Sequence, residues 1–217
     1  MKLYYILIVS MISVNAFAQR FNDAERRLIT SGDTTKLLRI IPLSEPEGYK
    51  VLKSVSMDVD YNDPLLPLLK ERMYKAVTDT SAGGVGIAAP QVGINRNLIW
   101  VQRFDKEETP FEFFINPRIV WRSSLLRRGT EGDLSFSDKR GDVVRSYTIM
   151  VTYTGMDGKQ HIELLEDFTA VIFQHETDHL FGTLLTDRLE EQKDKIYKEY
   201  QSQRPSQLLL EERDSTQ

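Results

Sequence analysis

Cysteine is missing altogether from these 217 residues. Disulfides, thiolate metal sites and cysteine nucleophiles are therefore excluded, and a chain of this length folds on its core without crosslinks. An excess of positive charge is lacking too: 28 lysines and arginines stand against 32 acidic residues, a net charge of −4. Together with the lack of a clustered basic face, this argues against a nucleic-acid partner, and none is expected. After the first eighteen residues no apolar run is long enough to cross a bilayer. No internal repeat and no linker divides the chain, and 41% hydrophobic with 10% aromatic residues is the composition of one globular domain.

The start of the chain is different. Lys2 gives a positive end, Leu3 to Val14 is apolar apart from Ser10 and Ser13, and Ala16-Phe17-Ala18 is a small-x-small cleavage pattern. Residues 1–18 therefore read as a signal peptide cleaved after Ala18. The run is too short to span comfortably, so no stable membrane anchor is expected after cleavage. The protein is expected to be exported, periplasmic or secreted.

Residues 19–48 are polar, mixed in charge and end in Pro42, Glu45, Pro46, Glu47 and Gly48. They read as a loosely attached N-terminal arm, followed by the main domain over 49–205 and a polar tail over 206–217. A helix is predicted with Asp63 as N-cap and Pro64 at its first position, carrying Leu65, Leu66, Leu68, Leu69, Met73, Ala76 and Val77 at helical spacing. Strand-like segments follow at 97–104, 111–115, 118–121, 142–153 and 159–164, with Asp157-Gly158 as a hairpin turn. A helix over 166–181, stopped by Gly182, and a charged helix near 187–202 complete the chain. Strands and helices segregate along the sequence, which predicts an α+β fold.

The helix near the C-terminus carries the chemistry. His175 and His179, four residues apart, share a helix face and can aim at one ion, and Glu176 lies beside it as a general base. Phe168, Val171 and Ile172 precede His175 by seven, four and three residues, so the histidine face continues an apolar, buried stripe. A catalytic ion needs a third ligand from elsewhere. Two other segments stand out: Gly84-Val85-Gly86-Ile87-Ala88-Ala89-Pro90-Gln91, too small and apolar for a phosphate loop, and Glu131-Gly132-Asp133-Leu134-Ser135.

Together the three segments resemble the signatures of the peptide deformylases: a G-x-G-x-A-A-x-Q loop, an E-G-C-L-S strand and a Q-H-E-x-D-H-L helix, in this order. Residues 50 to 190 share the likeness. It implies antiparallel strands packed around a central helix that carries the H-E-x-x-H motif. It also implies a hydrolase that removes formyl from N-formylmethionyl peptides, with one divalent ion, Fe2+ or Zn2+, and an ion-activated water as nucleophile. One departure is central, because Asp133 stands where the family has its cysteine ligand. By resemblance the ion is held by Asp133, His175 and His179, a carboxylate and two imidazoles that suit zinc or non-haem iron. Charge is kept, but carboxylate donates less electron density, and its longer reach moves the expected ion position by ~1 Å. Asp133 can also bind through both oxygens and fill the open position, or mark a site that has lost its metal. In an oxidising compartment, replacing a thiolate avoids its oxidation.

The remaining roles are implied in the same way. Glu176 is the base that becomes an acid, and the Gln91 amide and the Leu134 backbone N–H face the oxyanion. Val85, Gly86 and Gly132 contact the peptide, added as a strand. Phe168, Val171 and Ile172 line the methionine pocket, although core packing alone accounts for their apolar character. Glu131 and Arg145 form an orienting ion pair. Asp178 is either an acceptor for a ligand imidazole or a solvated carboxylate, and His161 belongs to the surface. A formyl-peptide or peptide-binding module without turnover is the alternative, and retention of Glu176 and Gln91 argues against it. A metalloprotease is disfavoured by the G-x-G-x-A-A-x-Q loop.

Overall fold

The computed structural model describes residues 18–79, 83–199 and 207–210. Nearly all of the expected signal segment and most of the expected tail lie outside the described residues. In chain order the elements are α1 (Asp23–Ile29), α2 (Pro46–Leu52), α3 (Leu66–Val77), β1 (Gly86–Ala88), β2 (Leu98–Gln102), β3 (Phe111–Arg122), β4 (Leu125–Asp133), β5 (Phe136–Ser146), β6 (Thr148–Thr154), β7 (Gln160–Glu166), α4 (Asp167–Leu180), α5 (Leu185–Gln192), β8 (Tyr197–Glu199) and β9 (Gln207–Leu210). They form two antiparallel sheets, ordered β1-β2-β3-β6-β7 and β5-β4-β9-β8. The α+β expectation holds, with α4 as the central helix.

Helix α4 is buried over Thr169–Gln174 and Glu176–Leu180 although its second half is mostly polar, so its apolar stripe packs on the sheet and its polar groups need partners inside the protein. Ala170, Ile172, Phe173 and Leu180 pack on Ile99, Val101, Phe114, Ile149 and Val151 of the five-stranded sheet. Gly182, at φ +66, closes the helix; a Cβ there would stand 2.4 Å from the Lys53 carbonyl oxygen. Gln174 clamps the other side, accepting from Ser146 N at 3.1 Å and donating to Ser146 O at 2.9 Å. The helix is thus bonded to the end of β5, where the chain leaves one sheet for the other.

Several expected boundaries move. Residues 142–153 are two strands rather than one, because Tyr147 is where the chain passes between the sheets, without a glycine or proline to announce it. The segments 111–115 and 118–121 are one strand, bulged at Asn116-Pro117, with Asn116 at φ 52. Helix α3 starts at Leu66, not Pro64; Asp63 instead caps the preceding turn through Leu65 N at 2.9 Å. The charged helix spans only Leu185–Gln192, and Gln207–Leu210 of the expected polar tail is a strand paired with β4.

The N-terminal arm is not loose. Phe21, Ile29 and Leu38 are buried in the core under α3, at spacings too irregular to register as a periodic pattern. Arg96 makes a two-bond contact with Glu25, at 2.7 Å each, and both residues are buried. Breaking such a pair from one side costs ~3–5 kcal/mol, so the pair ties the arm to the rest of the fold.

Candidate active site

Three segments far apart in sequence converge on one cleft of about 400 Å³. Helix α4 supplies His175 and Glu176, the end of β4 supplies Asp133, and the 3-10 turn Ala89–Val92 after β1 supplies Gln91; His179 of α4 is buried against Asp133. One ligand atom from each of Asp133, His175 and His179 lies within 4.8 Å of the others. His179 Nε2 and Asp133 Oδ2 are 3.4 Å apart. Ligands on a tetrahedral ion with bonds of ~2.0–2.2 Å are separated by roughly that distance.

The hydrogen bonding of the three residues suits a shared ion. Among the described residues neither ring nitrogen of His179 nor Glu176 Oε2 has a hydrogen-bond partner, and all three atoms are buried. Buried polar atoms are rarely left so, and an ion is the partner that two imidazoles and a carboxylate would share. Burial pushes the His179 imidazole well down, to about 4, which keeps a nitrogen lone pair available. The donor set and the orphaned atoms both fit a divalent cation.

His175 is oriented from behind. Its Nδ1 lies 2.9 Å from Glu131 Oε2, leaving Nε2 for the cleft. Burial disfavours the imidazolium, but the Glu131 hydrogen bond and the charges of Glu176, Glu131 and Asp133 outweigh it and raise the ring to about 9. Burial alone would push Glu131 up; the two-bond contact with Arg145 and the His175 ring instead hold it down, at about 2. Arg145 continues to Asp178 at 2.5 Å, and Arg188 from α5 meets the same carboxylate. The Glu131–Arg145 pair is therefore buried and positions an imidazole. Asp178 is neither of the expected alternatives, because it takes two guanidinium groups rather than a ring N–H or water. Arg188 gave no sign in the sequence, lying outside every motif.

Glu176 is buried, and burial first of all, with Asp133 and Glu131 nearby, pushes its carboxyl up to about 8. Strand β1 passes so close that a Cβ on Gly86 would sit 2.4 Å from Glu176 Oε1. The glycine admits that approach. Gly132 carries no such constraint, since a Cβ there would find Arg140 no nearer than 3.6 Å. Gln91 is fixed at both ends of its amide: Oε1 accepts from Ala88 N at 2.9 Å, and Nε2 donates to Asp133 Oδ1 at 3.1 Å.

Val85, Gly86, Gly132, Leu134, Phe168, Val171 and Ile172 all line this cleft. Val171 and Ile172 are buried in the same stripe that packs α4, so packing and lining are one face. Phe168 lies between the Phe104 ring, at 5.0 Å, and the Arg127 guanidinium, at 5.4 Å. Neither neighbour was visible as a site residue, since a lone aromatic and a lone arginine carry no spacing signal. His161 is away from the cleft, stacked on Tyr153 and 3.3 Å from Asp157.

Comparison with known proteins agrees with this geometry. Residues 38–195 match the family model described as polypeptide deformylase. A peptide deformylase from Brachyspira hyodysenteriae is 37% identical, over 78% of this chain and 87% of its own length. One from Synechocystis sp. is 38% identical, over 66% of this chain and 76% of its own. Among solved structures, the Met-Ala-Ser-bound class I type b peptide deformylase of Acinetobacter baumannii aligns with a TM-score of 0.62 at 32% identity, covering 71% of this chain and 99% of that one. The Synechococcus elongatus peptide deformylase in complex with actinonin aligns with a TM-score of 0.61 at 34% identity, over 70% and 78%.

Proposed function

The chain belongs to the peptide deformylase family, and on that premise we propose that it is a metal-dependent hydrolase removing the formyl group from N-formylmethionyl peptides. The observation that carries the proposal is the orphaned His179 imidazole, facing Asp133 and His175 beside an orphaned Glu176 oxygen. Asp133, His175 and His179 would hold Fe2+ or Zn2+. Bound there, such an ion would supply Lewis acidity to the formyl carbonyl and to water.

The protein's own groups do the rest. Glu176, with a carboxyl poised near neutrality, takes a proton from the attacking water and returns it to the departing amine. The second N–H of the Gln91 amide and the backbone N–H of Leu134 are the donors for the developing oxyanion. β1 is an edge strand, so the peptide can add to it alongside Gly86, with Gly132 of β4 across the cleft. The methionine side chain would rest on Phe168, Val171 and Ile172, where one methylene more or less is worth ~1–3 kcal/mol. Formate release from N-formyl-Met-Ala-Ser, with the N-acetyl peptide as control, tests the reading. Release from the formyl peptide alone is expected; equal cleavage of both, or of internal bonds, would remove the deformylase assignment.

The same proposal places the reaction outside the cytoplasm, on formylated peptides found there. It rests on the charged start, apolar run and Ala16-Phe17-Ala18 ending. N-terminal sequencing of the protein from its natural host is expected to begin at or near Gln19. Intact Met1 on cytoplasmic protein would contradict it.

A further inference from the structure

We propose that Gln91 and Asp133 position each other: Gln91 restricts Asp133 to one-oxygen ligation, and Asp133 holds the Gln91 amide in line for the oxyanion. The inference rests on the metal-dependent reading above and concerns what replacing a thiolate by a carboxylate demands of its surroundings. A thiolate has one donor atom. A carboxylate has two, and if both bind the ion they fill the coordination position that the substrate or water needs.

The two oxygens of Asp133 are in different hands. Oδ1 accepts from Gln91 Nε2 at 3.1 Å and from Ser135 N at 2.8 Å. A carboxylate oxygen has two lone-pair sites, so these donors together use both. Oδ2 is the oxygen that faces the histidines, 3.4 Å from His179 Nε2. One oxygen is thus committed to the protein and one is directed at the ion.

The restraint works in reverse as well. Ala88 N holds Gln91 Oε1 at 2.9 Å, which fixes the amide with its NH2 group toward Asp133. One N–H of that group is taken by Oδ1, and the other is left for the cleft. Sulfur accepts hydrogen bonds weakly, so a cysteine at the same place would hold the amide less firmly. The aspartate therefore gives back orientation of an oxyanion donor where it gives up thiolate donation.

The test is a double-mutant cycle on the mature chain with Gln91→Leu, Asp133→Cys and the pair, each loaded with Co2+ under reducing, anaerobic conditions. Visible d–d absorption and X-ray absorption report ligand number, whatever the activity. In the aspartate background Gln91→Leu is expected to lose much of the tetrahedral absorption intensity and to gain one oxygen donor. In the cysteine background the same change is expected to leave both readouts where they were. Gln91→Asn, which keeps an amide but shortens its reach, should move the aspartate protein in the same direction and serves if the leucine variant does not fold. Unchanged coordination in the aspartate background, or equal change in both backgrounds, overturns the inference while the metal-dependent reading stands. Failure of the parent to take up Co2+ at all overturns both.

Discussion

Glu176→Gln is expected to keep its metal and its fold and to lose ~10²–10⁴ of formate release, the usual contribution of a general acid–base group. The substitution preserves shape and removes the proton shuttle alone. Glu176 Oε2 has no hydrogen-bond partner among the described residues, so a change at that oxygen breaks no bond there. Burial, first of all, disfavours the charged form of this carboxyl, so an uncharged amide of the same shape is expected to cost little stability. Metal content and thermal midpoint should match the parent while kcat falls. A variant that turns over like the parent would place the base elsewhere.

Asp133→Asn should be as damaging by a different route. Shape and one oxygen are kept, but the negative charge that offsets the divalent ion is gone. Supporting groups that do not touch a metal are worth ~10–100-fold in affinity, and loss of a charged ligand should reach at least the upper figure. Competition against a chelator measures it directly. Asp133→Cys restores an anionic donor and should retain metal under reducing conditions. His161→Asn is the control, because that histidine lies on the surface beside Asp157 and should leave metal retention unchanged. Retention by Asp133→Asn equal to the parent's would exclude the aspartate as a ligand.

The parts of the site legible in the sequence were those carried by local spacing. His175, Glu176 and His179 sit on one turn of one helix, so their convergence follows from helical geometry, and the apolar stripe before them foretold that the helix is buried. Asp133 and Gln91 came only through resemblance, since nothing in either segment says that it meets the helix. The Gln91–Asp133 bond spans 42 residues and Arg145–Asp178 spans 33. Such contacts are set by how α4 and the turn after β1 pack against β4 and β5, and that packing leaves no local signature. Two features misled the reading of the fold. Tyr147 continues an unbroken strand-like pattern across a change of sheet, and the arm hides three core residues among charged neighbours. Arg188 is a third case, an arginine on a charged helix whose partner is fixed only by how α5 packs.

The most direct test of the central claim is a titration of metal-depleted protein with Fe2+ or Zn2+ while formate release from N-formyl-Met-Ala-Ser is recorded. Activity is expected to rise in proportion to bound metal and to level off at one ion per chain, with His179→Ala flat throughout. Formate release that is independent of metal would contradict the account, as would stoichiometric binding of the ion at Asp133, His175 and His179 with no release from any formyl peptide.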